Sequence, residues 1–167
     1  MAKNNVDVLV CGGGPAGGSA AISAAKCGVS VRLVDLNGFF GGTLISGIVG
    51  AFCGMFSARR DPSDKVFQVV QGVGEEIRAL SAKLGGVSDQ NTNGFFDAYT
   101  YDPSILAIAL DQLILKYGVR PLLHTMIIDA HAHKGVVTEV ELASKSGKET
   151  ITPKFVIDAT GDADIVH

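Results

Sequence analysis

Three glycines near the amino terminus have the spacing of a phosphate-binding turn. Gly12, Gly14 and Gly17 follow the pattern G-x-G-x-x-G, directly after an apolar run and directly before an alanine-rich stretch. In such a turn the first glycine permits a tight bend, the second lets the backbone approach a pyrophosphate, and the third lets a helix pack close to a strand. The spacing therefore predicts that main-chain N–H groups bind a diphosphate at the start of a helix.

An acidic residue follows at a distance typical of ribose binding. Asp35 ends the stretch VSVRLVD and lies 23 residues after Gly12. A carboxylate at that point accepts hydrogen bonds from the hydroxyl groups of an adenosine ribose and repels a 2′-phosphate, so NADP is disfavoured. The glycines and the acid together predict a dinucleotide site.

The elements that must position these residues form a strand, a helix and a second strand. Residues 6–10 are rich in β-branched side chains, as in a strand buried within a parallel sheet. Pro15 stands where a helix begins without needing an N–H, and Gly28 stands where that helix would end. Residues 1–46 are therefore predicted to be a βαβ dinucleotide-binding unit.

A mainly helical insertion is predicted for residues 47–118. Apolar residues recur at helical spacing from Val69 to Leu84, and Gly85 would end that helix. The stretch DPSILAIALDQLILKYG begins with the helix-start pair Asp102–Pro103 and is apolar on most faces, which indicates a buried helix.

The remaining strands of the same domain are predicted within residues 119–167. One strand is expected over 119–133, followed by a hairpin made of GVVTEVELAS and GKETITP that is closed around Ser146 and Gly147. The stretch KFVIDAT is expected to be a separate final strand.

Three ordered motifs resemble the FAD-dependent oxidoreductase family of the glutathione reductase type. GGGPAG occupies residues 12–17, GGTLISG occupies residues 41–47 and IDATGD occupies residues 157–162, so the resemblance covers almost the whole chain. It implies an α/β fold, in which a Rossmann-like FAD-binding domain has a central parallel sheet, a small antiparallel β-meander and a helical insertion. It also implies FAD as the cofactor.

The resemblance assigns cofactor-binding roles to residues in each motif. The first glycine loop would bind the pyrophosphate, the second glycine cluster would lie along the pyrophosphate and flavin, the ATG-like strand end would close over the cofactor, and one strand backbone would meet adenine. The predicted cofactor-binding residues are Gly12, Gly14, Pro15, Ala16, Gly17, Asp35, Leu36, Gly41, Gly42, Thr43, Ser46, Ile127, Ala159, Thr160, Gly161 and Asp162. No catalytic residue is assigned.

Members of this family continue well past the ATG-like strand, so the domain is expected to be incomplete on its own. We expect a second polypeptide, either a separate subunit or the product of a proteolytic cut, to complete the flavin and substrate site in a hetero-oligomer. The expected function is that of an FAD-binding subunit or fragment of an oxidoreductase that oxidises a small organic substrate by hydride transfer to flavin. Two alternatives stay open: a non-catalytic FAD- or nucleotide-binding module of a complex, and an NAD-dependent dehydrogenase.

Composition and charge narrow the class of partner and the compartment. The formal net charge is −3 and no long basic run occurs, which argues against binding to nucleic acid or an anionic membrane. No apolar stretch is long enough to span a bilayer, and no signal peptide is expected. The three cysteines are odd in number and lack zinc-ligand spacing, so free thiols and a cytoplasmic location are expected.

Three smaller features receive an ordinary structural interpretation. His131 and His133 form an H-x-H pair without an evident Cys or carboxylate partner, so no metal site is expected. Cys53 suggests a redox-active thiol or a flavin attachment point, but a buried inert thiol is the favoured interpretation. Arg59 and Arg60 suggest anchors for an anionic substrate, but a solvated loop is favoured.

Overall fold

The glycine turn joins the first strand to the first helix. In the computed structural model, which describes residues 4–61, 63–93 and 96–165, the first strand ends at Cys11 and the first helix begins at Pro15. Gly28 follows that helix with a φ of 81°, as a helix-ending glycine does. The elements are β1 (Asn5–Cys11), α1 (Pro15–Lys26), β2 (Val31–Val34), α2 (Thr43–Ser46), β3 (Ala51–Phe52), α3 (Val73–Lys83), β4 (Asn91–Asn93), β5 (Phe96–Thr100), α4 (Pro103–Lys116), β6 (Arg120–Leu122), β7 (Met126–His133), β8 (Val136–Ser144) and β9 (Gly147–Asp158).

Backbone contacts divide the chain into two compact units. The first unit comprises residues 1–42 and 111–167, and the second comprises residues 43–110. Helix α4 begins in the second unit and ends in the first.

A six-stranded mixed sheet with the strand order β6-β2-β1-β9-β8-β7 forms the first unit. The strands β6, β2, β1 and β9 run parallel, whereas β9, β8 and β7 form an antiparallel meander. The α/β fold with a central parallel sheet and a small meander is therefore confirmed. Its buried core residues lie on β1, β2, β8 and β9, and include Val6, Leu9, Cys11, Val34, Val140, Leu142 and Ile151.

Strand β9 belongs to both parts of this sheet. Residues 147–151 pair antiparallel with β8, and residues 152–158 pair parallel with β1. The prediction of a hairpin strand that ends at Pro153 and a separate final strand is therefore wrong, because both lie in one strand of 12 residues. The N–H of Thr152 donates to the carbonyl of Asn4 (3.1 Å). Successive backbone nitrogens of a strand face opposite sides, so the nitrogen of Pro153 faces the side of β8. Pairing with β8 has ended at Ile151, so the missing N–H of Pro153 costs no hydrogen bond between strands.

The single strand predicted over residues 119–133 is two strands in the structure. The break falls between Leu122 and Met126, where His124 adopts a φ of 50°. This bend directs the chain from β6, beside β2, to β7 at the opposite edge of the sheet. Apolar residues lie on both sides of the break, Leu122 and Leu123 before it and Met126 and Ile127 after it, so the sequence pattern did not reveal it.

The second unit contains helices and a three-stranded antiparallel sheet in the order β3-β5-β4. Helix α3 confirms the predicted helical spacing, and Gly85 follows it with a φ of 82°. The small sheet was not predicted, because strands of two, three and five residues are too short to show a period.

Helix α4 is less completely buried than its apolar sequence suggested. Leu106 and Ile114 are fully buried, whereas Ile108 is 47% and Leu115 is 64% exposed. One side of the helix therefore presents apolar residues to solvent.

No helix within the described residues has the length and apolar character needed to cross a bilayer.

Candidate functional site

The three motif glycines differ in what surrounds them. Gly12 has a φ of 97°, and a Cβ there would overlap the carbonyl oxygen of Ala159. A Cβ on Gly17 would overlap the carbonyl oxygen of Gly12. A Cβ on Gly14 would meet no heavy atom within 4 Å. Gly12 and Gly17 are thus required by the packing of the protein itself, whereas Gly14 leaves an open space beside the backbone.

The amino end of α1 borders that open space and, among the residues that the structure describes, has no side-chain cap. Gly14 is the N-cap, no side chain accepts a hydrogen bond from the first turn, and that turn contains no acidic residue. The N–H of Gly18 donates to the carbonyl of Gly14 (2.8 Å). The N–H groups of Ala16 and Gly17 lie before this first helical hydrogen bond, so they have no acceptor within the helix. Uncapped amides and the positive end of a helix dipole favour an anion here.

Asp35 is buried at the carboxyl end of β2 and is held by four hydrogen bonds. Its side-chain Oδ2 accepts from the N–H of Gly13 (2.6 Å), and its Oδ1 accepts from the N–H of Asn37 (2.7 Å). Its own N–H donates to the carbonyl of Leu122 (2.9 Å), and its carbonyl accepts from Thr125 (3.0 Å). Asp35 is 8% exposed, so its carboxylate is fixed in one orientation beside the glycine turn.

The segment after β2 packs directly on the glycine turn. The N–H of Gly41 donates to the carbonyl of Gly13 (2.8 Å), and a Cβ on Gly42 would lie 2.9 Å from the Cα of Gly14. The ring of Phe40, which is 2% exposed, occupies the place where a Cβ on Gly13 would be. Sequence reasoning missed Gly13. The available signal was the middle glycine of GGG, a position at which G-x-G-x-x-G does not require glycine.

Six of the predicted cofactor-binding residues line one cavity of about 470 Å³ in the first unit. They come from the ends of β1, β2 and β9 and from the start of β7, and this edge of a parallel sheet is where ligands of α/β proteins bind. The six are Gly12, Asp35, Leu36, Ile127, Thr160 and Asp162. The other residues of the lining are Val34, Asn37, Thr125, Met126, Ile128 and Asp164.

The cavity combines apolar walls with carboxylates. Leu36 and Met126 line it and are 63% and 54% exposed, so they present apolar surface to a ligand. Asp35, Asp162 and Asp164 supply negative charge, and no Lys or Arg belongs to the lining. These walls suit a nucleoside whose ribose carries free hydroxyl groups, and they do not suit a 2′-phosphate.

The other predicted site residues lie at four positions. Gly14, Pro15, Ala16 and Gly17 form the start of α1, and Gly41 and Gly42 cover the glycine turn. Ala159 donates its N–H to the carbonyl of Cys11 (2.8 Å), and Gly161 follows with a φ of 91°. Thr43 and Ser46 begin and end α2 of the second unit.

Cys53 and Arg59 differ from their sequence-based interpretation, whereas the three cysteines are free thiols and Arg60 is exposed, as expected. Cys53 is exposed rather than buried. Cys11 is buried, and burial, reinforced by the charge of Asp158, raises the pKa of its thiol to about 12. Arg59 is neither an anchor nor a solvated side chain, because its guanidinium forms two hydrogen bonds (2.6 and 3.0 Å) with the buried carboxylate of Asp97.

The H-x-H pair has a carboxylate partner that the linear sequence did not reveal. His131 on β7 lies 3.0 Å from the carboxylate of Glu141 on the adjacent strand β8. This hydrogen bond, with the nearby acidic residues, raises the pKa of His131. Within the described part of the chain, no group of three or more His, Cys, Asp or Glu side chains is arranged to hold a metal ion.

A parallel sheet with a glycine turn, a helix start without a side-chain cap and a buried acid at the end of the second strand is typical of a dinucleotide-binding class of α/β protein. The sequence matches the family described as FAD dependent oxidoreductase over residues 7–167, and the chain belongs to this family. FAD is accordingly the cofactor, and the family membership disfavours the NAD-dependent alternative. The recognition made from the three motifs is confirmed.

Individual relatives share the fold over part of their length. Thiamine thiazole synthase from Methanococcus vannielii is 29% identical over 170 residues, which cover 96% of this chain and 58% of that protein. The crystal structure of THI4 from Thermovibrio ammonificans has a TM-score of 0.62 at 20% identity, over 97% of this chain and 60% of that one. Glycerol-3-phosphate dehydrogenase from Bacillus halodurans, complexed with FAD, has a TM-score of 0.61 at 20% identity, over 95% and 35%. The chain therefore spans less than two thirds of the length of these relatives.

Proposed function

We propose that this chain is the FAD-binding part of a flavoprotein oxidoreductase that oxidises a small organic substrate. When bound, FAD supplies the acceptor for the hydride that leaves the substrate. The chain's own residues bind and orient the cofactor. The observation that carries the proposal is the single cavity lined by six of the predicted residues, next to the uncapped start of α1.

The diphosphate of FAD would bind at the start of α1. The open space beside Gly14 admits phosphate oxygens to the main chain, and Pro15 at the first helical position has a φ suited to the helix and no N–H that would need an acceptor. The amides of Ala16 and Gly17 would donate to these oxygens. Because no acidic side chain lies in the first helical turn, nothing there repels the two negative charges.

The adenosine half of FAD would occupy the cavity at the carboxyl edge of the sheet. Each carboxylate oxygen of Asp35 accepts one hydrogen bond from a main-chain N–H, and a carboxylate oxygen has room for a second. The remaining acceptor positions would take the ribose hydroxyl groups. The exposed side chains of Leu36 and Met126 offer apolar surface to the adenine ring.

A second polypeptide segment would complete the site, and an unpaired strand edge supports this part of the proposal. Within the described residues, the pairing of β9 with β8 ends at Ile151, and residues 152–157 have a neighbouring strand, β1, on one side only. Phe155, in the middle of that stretch, is 70% exposed although β9 is a central strand. An open edge with an exposed aromatic residue favours the addition of a further strand.

Purification of the protein with whatever binds to it tests both parts of the proposal. We expect a visible flavin absorption spectrum, a second polypeptide in intact mass analysis, and loss of the oxidised flavin spectrum when a substrate is supplied without oxygen. A protein that neither carries nor rebinds FAD would contradict the cofactor assignment. A stable FAD-loaded species of one 17.3 kDa chain would contradict the need for a partner. Flavin that no substrate reduces would favour the non-catalytic module.

A further inference from the structure

The carboxylate of Asp158, at the end of β9, closes the turn that follows it. Its Oδ1 accepts from both the N–H (3.1 Å) and the hydroxyl group (2.8 Å) of Thr160. Its Oδ2 accepts from the N–H of Ile165 (3.1 Å), seven residues further along. One side chain therefore fixes both the beginning and the end of the turn formed by residues 159–165.

A second set of contacts joins this turn to the cavity. The hydroxyl oxygen of Thr160 accepts from the N–H of Asp164 (3.1 Å), and both residues line the cavity, as does Asp162 between them. On its other side the turn abuts the glycine loop, since a Cβ on Gly12 would lie only 2.8 Å from the Cα of Thr160. Asp158 itself is not part of the cavity lining. Its hydrogen bonds with Thr160 connect it to the wall of the cavity.

The chemistry of these bonds requires a carboxylate. Three donors converge on Asp158, and only an ionised carboxylate accepts with both oxygens. An asparagine at the same position would turn its NH₂ group toward at least one of the donors, so at least one bond would be lost. The hydroxyl group of Thr160 is equally specific, because it donates to Asp158 and accepts from Asp164 at the same time.

We propose that Asp158 is a positioning residue for the cofactor site, which through Thr160 holds the turn of residues 159–165 in the conformation that shapes the adenosine cavity. This inference rests on the proposed function of that cavity. It assigns to Asp158 an effect on affinity without a contact to the ligand. The ligand chemistry concerned is an adenosine diphosphate group, whether free as ADP or as part of FAD.

Dissociation constants for FAD and for ADP, measured on the purified folded protein with any partner that accompanies it, test the proposal. Asp158→Asn and Thr160→Val should each raise the dissociation constants for both ligands about tenfold, which is the effect expected from the loss of about one hydrogen bond. Thr160→Ser keeps the hydroxyl group and should therefore lose less affinity for both ligands than Thr160→Val. The double variant Asp158→Asn/Thr160→Val should lose no more than the weaker-binding single variant, because both changes break one network.

A matched control is available in the second unit. The carboxylate of Asp61 accepts from the N–H (2.9 Å) and hydroxyl group (2.6 Å) of Ser63, the same pattern two residues apart, but in an exposed loop. Asp61→Asn should leave both dissociation constants unchanged. Thermal unfolding of the ligand-free variants separates a loss of stability from a loss of affinity.

The outcomes distinguish the role inferred for Asp158 from the proposed function of the cavity. If Asp158→Asn lowers the melting temperature but binds FAD and ADP as tightly as before, its role is only structural and the inference is overturned. Additive losses in the double variant would overturn the coupling through Thr160. If Asp158→Asn does not fold, equal affinities of Thr160→Val and Thr160→Ser would overturn it. A starting protein that binds neither ligand would refute the proposed function, and the inference with it.

Discussion

The substitution Gly14→Val separates cofactor binding from folding more cleanly than any other change in the glycine turn. The backbone of Gly14 has a φ of −65° and a ψ of −173°, which a valine adopts without strain. A Cβ at this position meets no heavy atom of the protein within 4 Å. The new side chain would therefore enter the open space where the proposed diphosphate lies.

The expected magnitudes follow from the two roles of this position. Replacing an N-cap glycine by valine costs about 1 kcal/mol of helix stability. For a chain of this size, that loss lowers the melting temperature by about 2–4 °C. Loss of two charge-assisted hydrogen bonds of about 1.5 kcal/mol each weakens FAD binding by about 3 kcal/mol, which is more than 100-fold. Gly12→Ala should mainly lower the stability of the fold and not act first on FAD binding. The alanine would need an unfavourable φ of 97°, and its Cβ would overlap the carbonyl oxygen of Ala159.

The assay is a titration of the FAD-free protein with FAD, followed by flavin fluorescence, together with thermal unfolding of the same samples. Cys27→Ala changes an exposed side chain at the far end of α1 and serves as the control, with both quantities unchanged. If Gly14→Val binds FAD as tightly as the original protein, the diphosphate does not lie against this turn. The assignment of the glycine loop would then be wrong.

Two further predictions concern residues outside the cavity. Arg59→Ala removes two hydrogen bonds from Asp97, whose side chain is 2% exposed, and should lower the free energy of unfolding by about 3 kcal/mol without changing FAD affinity; an unchanged denaturation midpoint would refute the structural role. Because the pKa of Cys11 is raised to about 12, only about one thiol in ten thousand is ionised at pH 8, and burial blocks access as well. Iodoacetamide at pH 8 should therefore modify the exposed Cys27 and Cys53 in the native protein and all three cysteines after denaturation, as counted by mass spectrometry; a third native adduct would contradict this.

The parts of the fold that local sequence could predict are those in which neighbouring residues fix the conformation. The first strand, the glycine turn and the first helix follow from β-branched residues, glycines and Pro15 within 22 positions. The break between β6 and β7 at His124 and the continuation of β9 through Pro153 depend on which strands pair with these segments. Strand β9 pairs with β1 across 147 positions (Asn5 with Thr152), and β6 pairs with β2 across 88 positions (Arg32 with Arg120), so no local pattern reports this pairing.

The candidate site shows the same limit at the level of single residues. Gly12, Gly14 and Gly17 could be found because their spacing reflects the geometry of one turn. The need for a glycine at position 13 arises from the ring of Phe40, which reaches it only after β2 has returned the chain to the sheet edge. The role of Asp158 likewise depends on three donors that the folded turn brings together.

Two acids, the buried Asp35 and the half-buried Asp158, explain why the cavity can be shaped before a ligand arrives. Asp35 ties the glycine turn to the segment after β2 by accepting from Gly13 and Asn37, and Asp158 ties the ATG-like turn to the end of β9. Both carboxylates lie beside a site proposed to bind an anionic diphosphate, where an unpaired negative charge would weaken binding. Satisfying each with main-chain N–H donors offsets that charge and fixes the loops at the same time. Binding then costs less conformational entropy, because the loops that contact the ligand are already ordered by the protein's own acids.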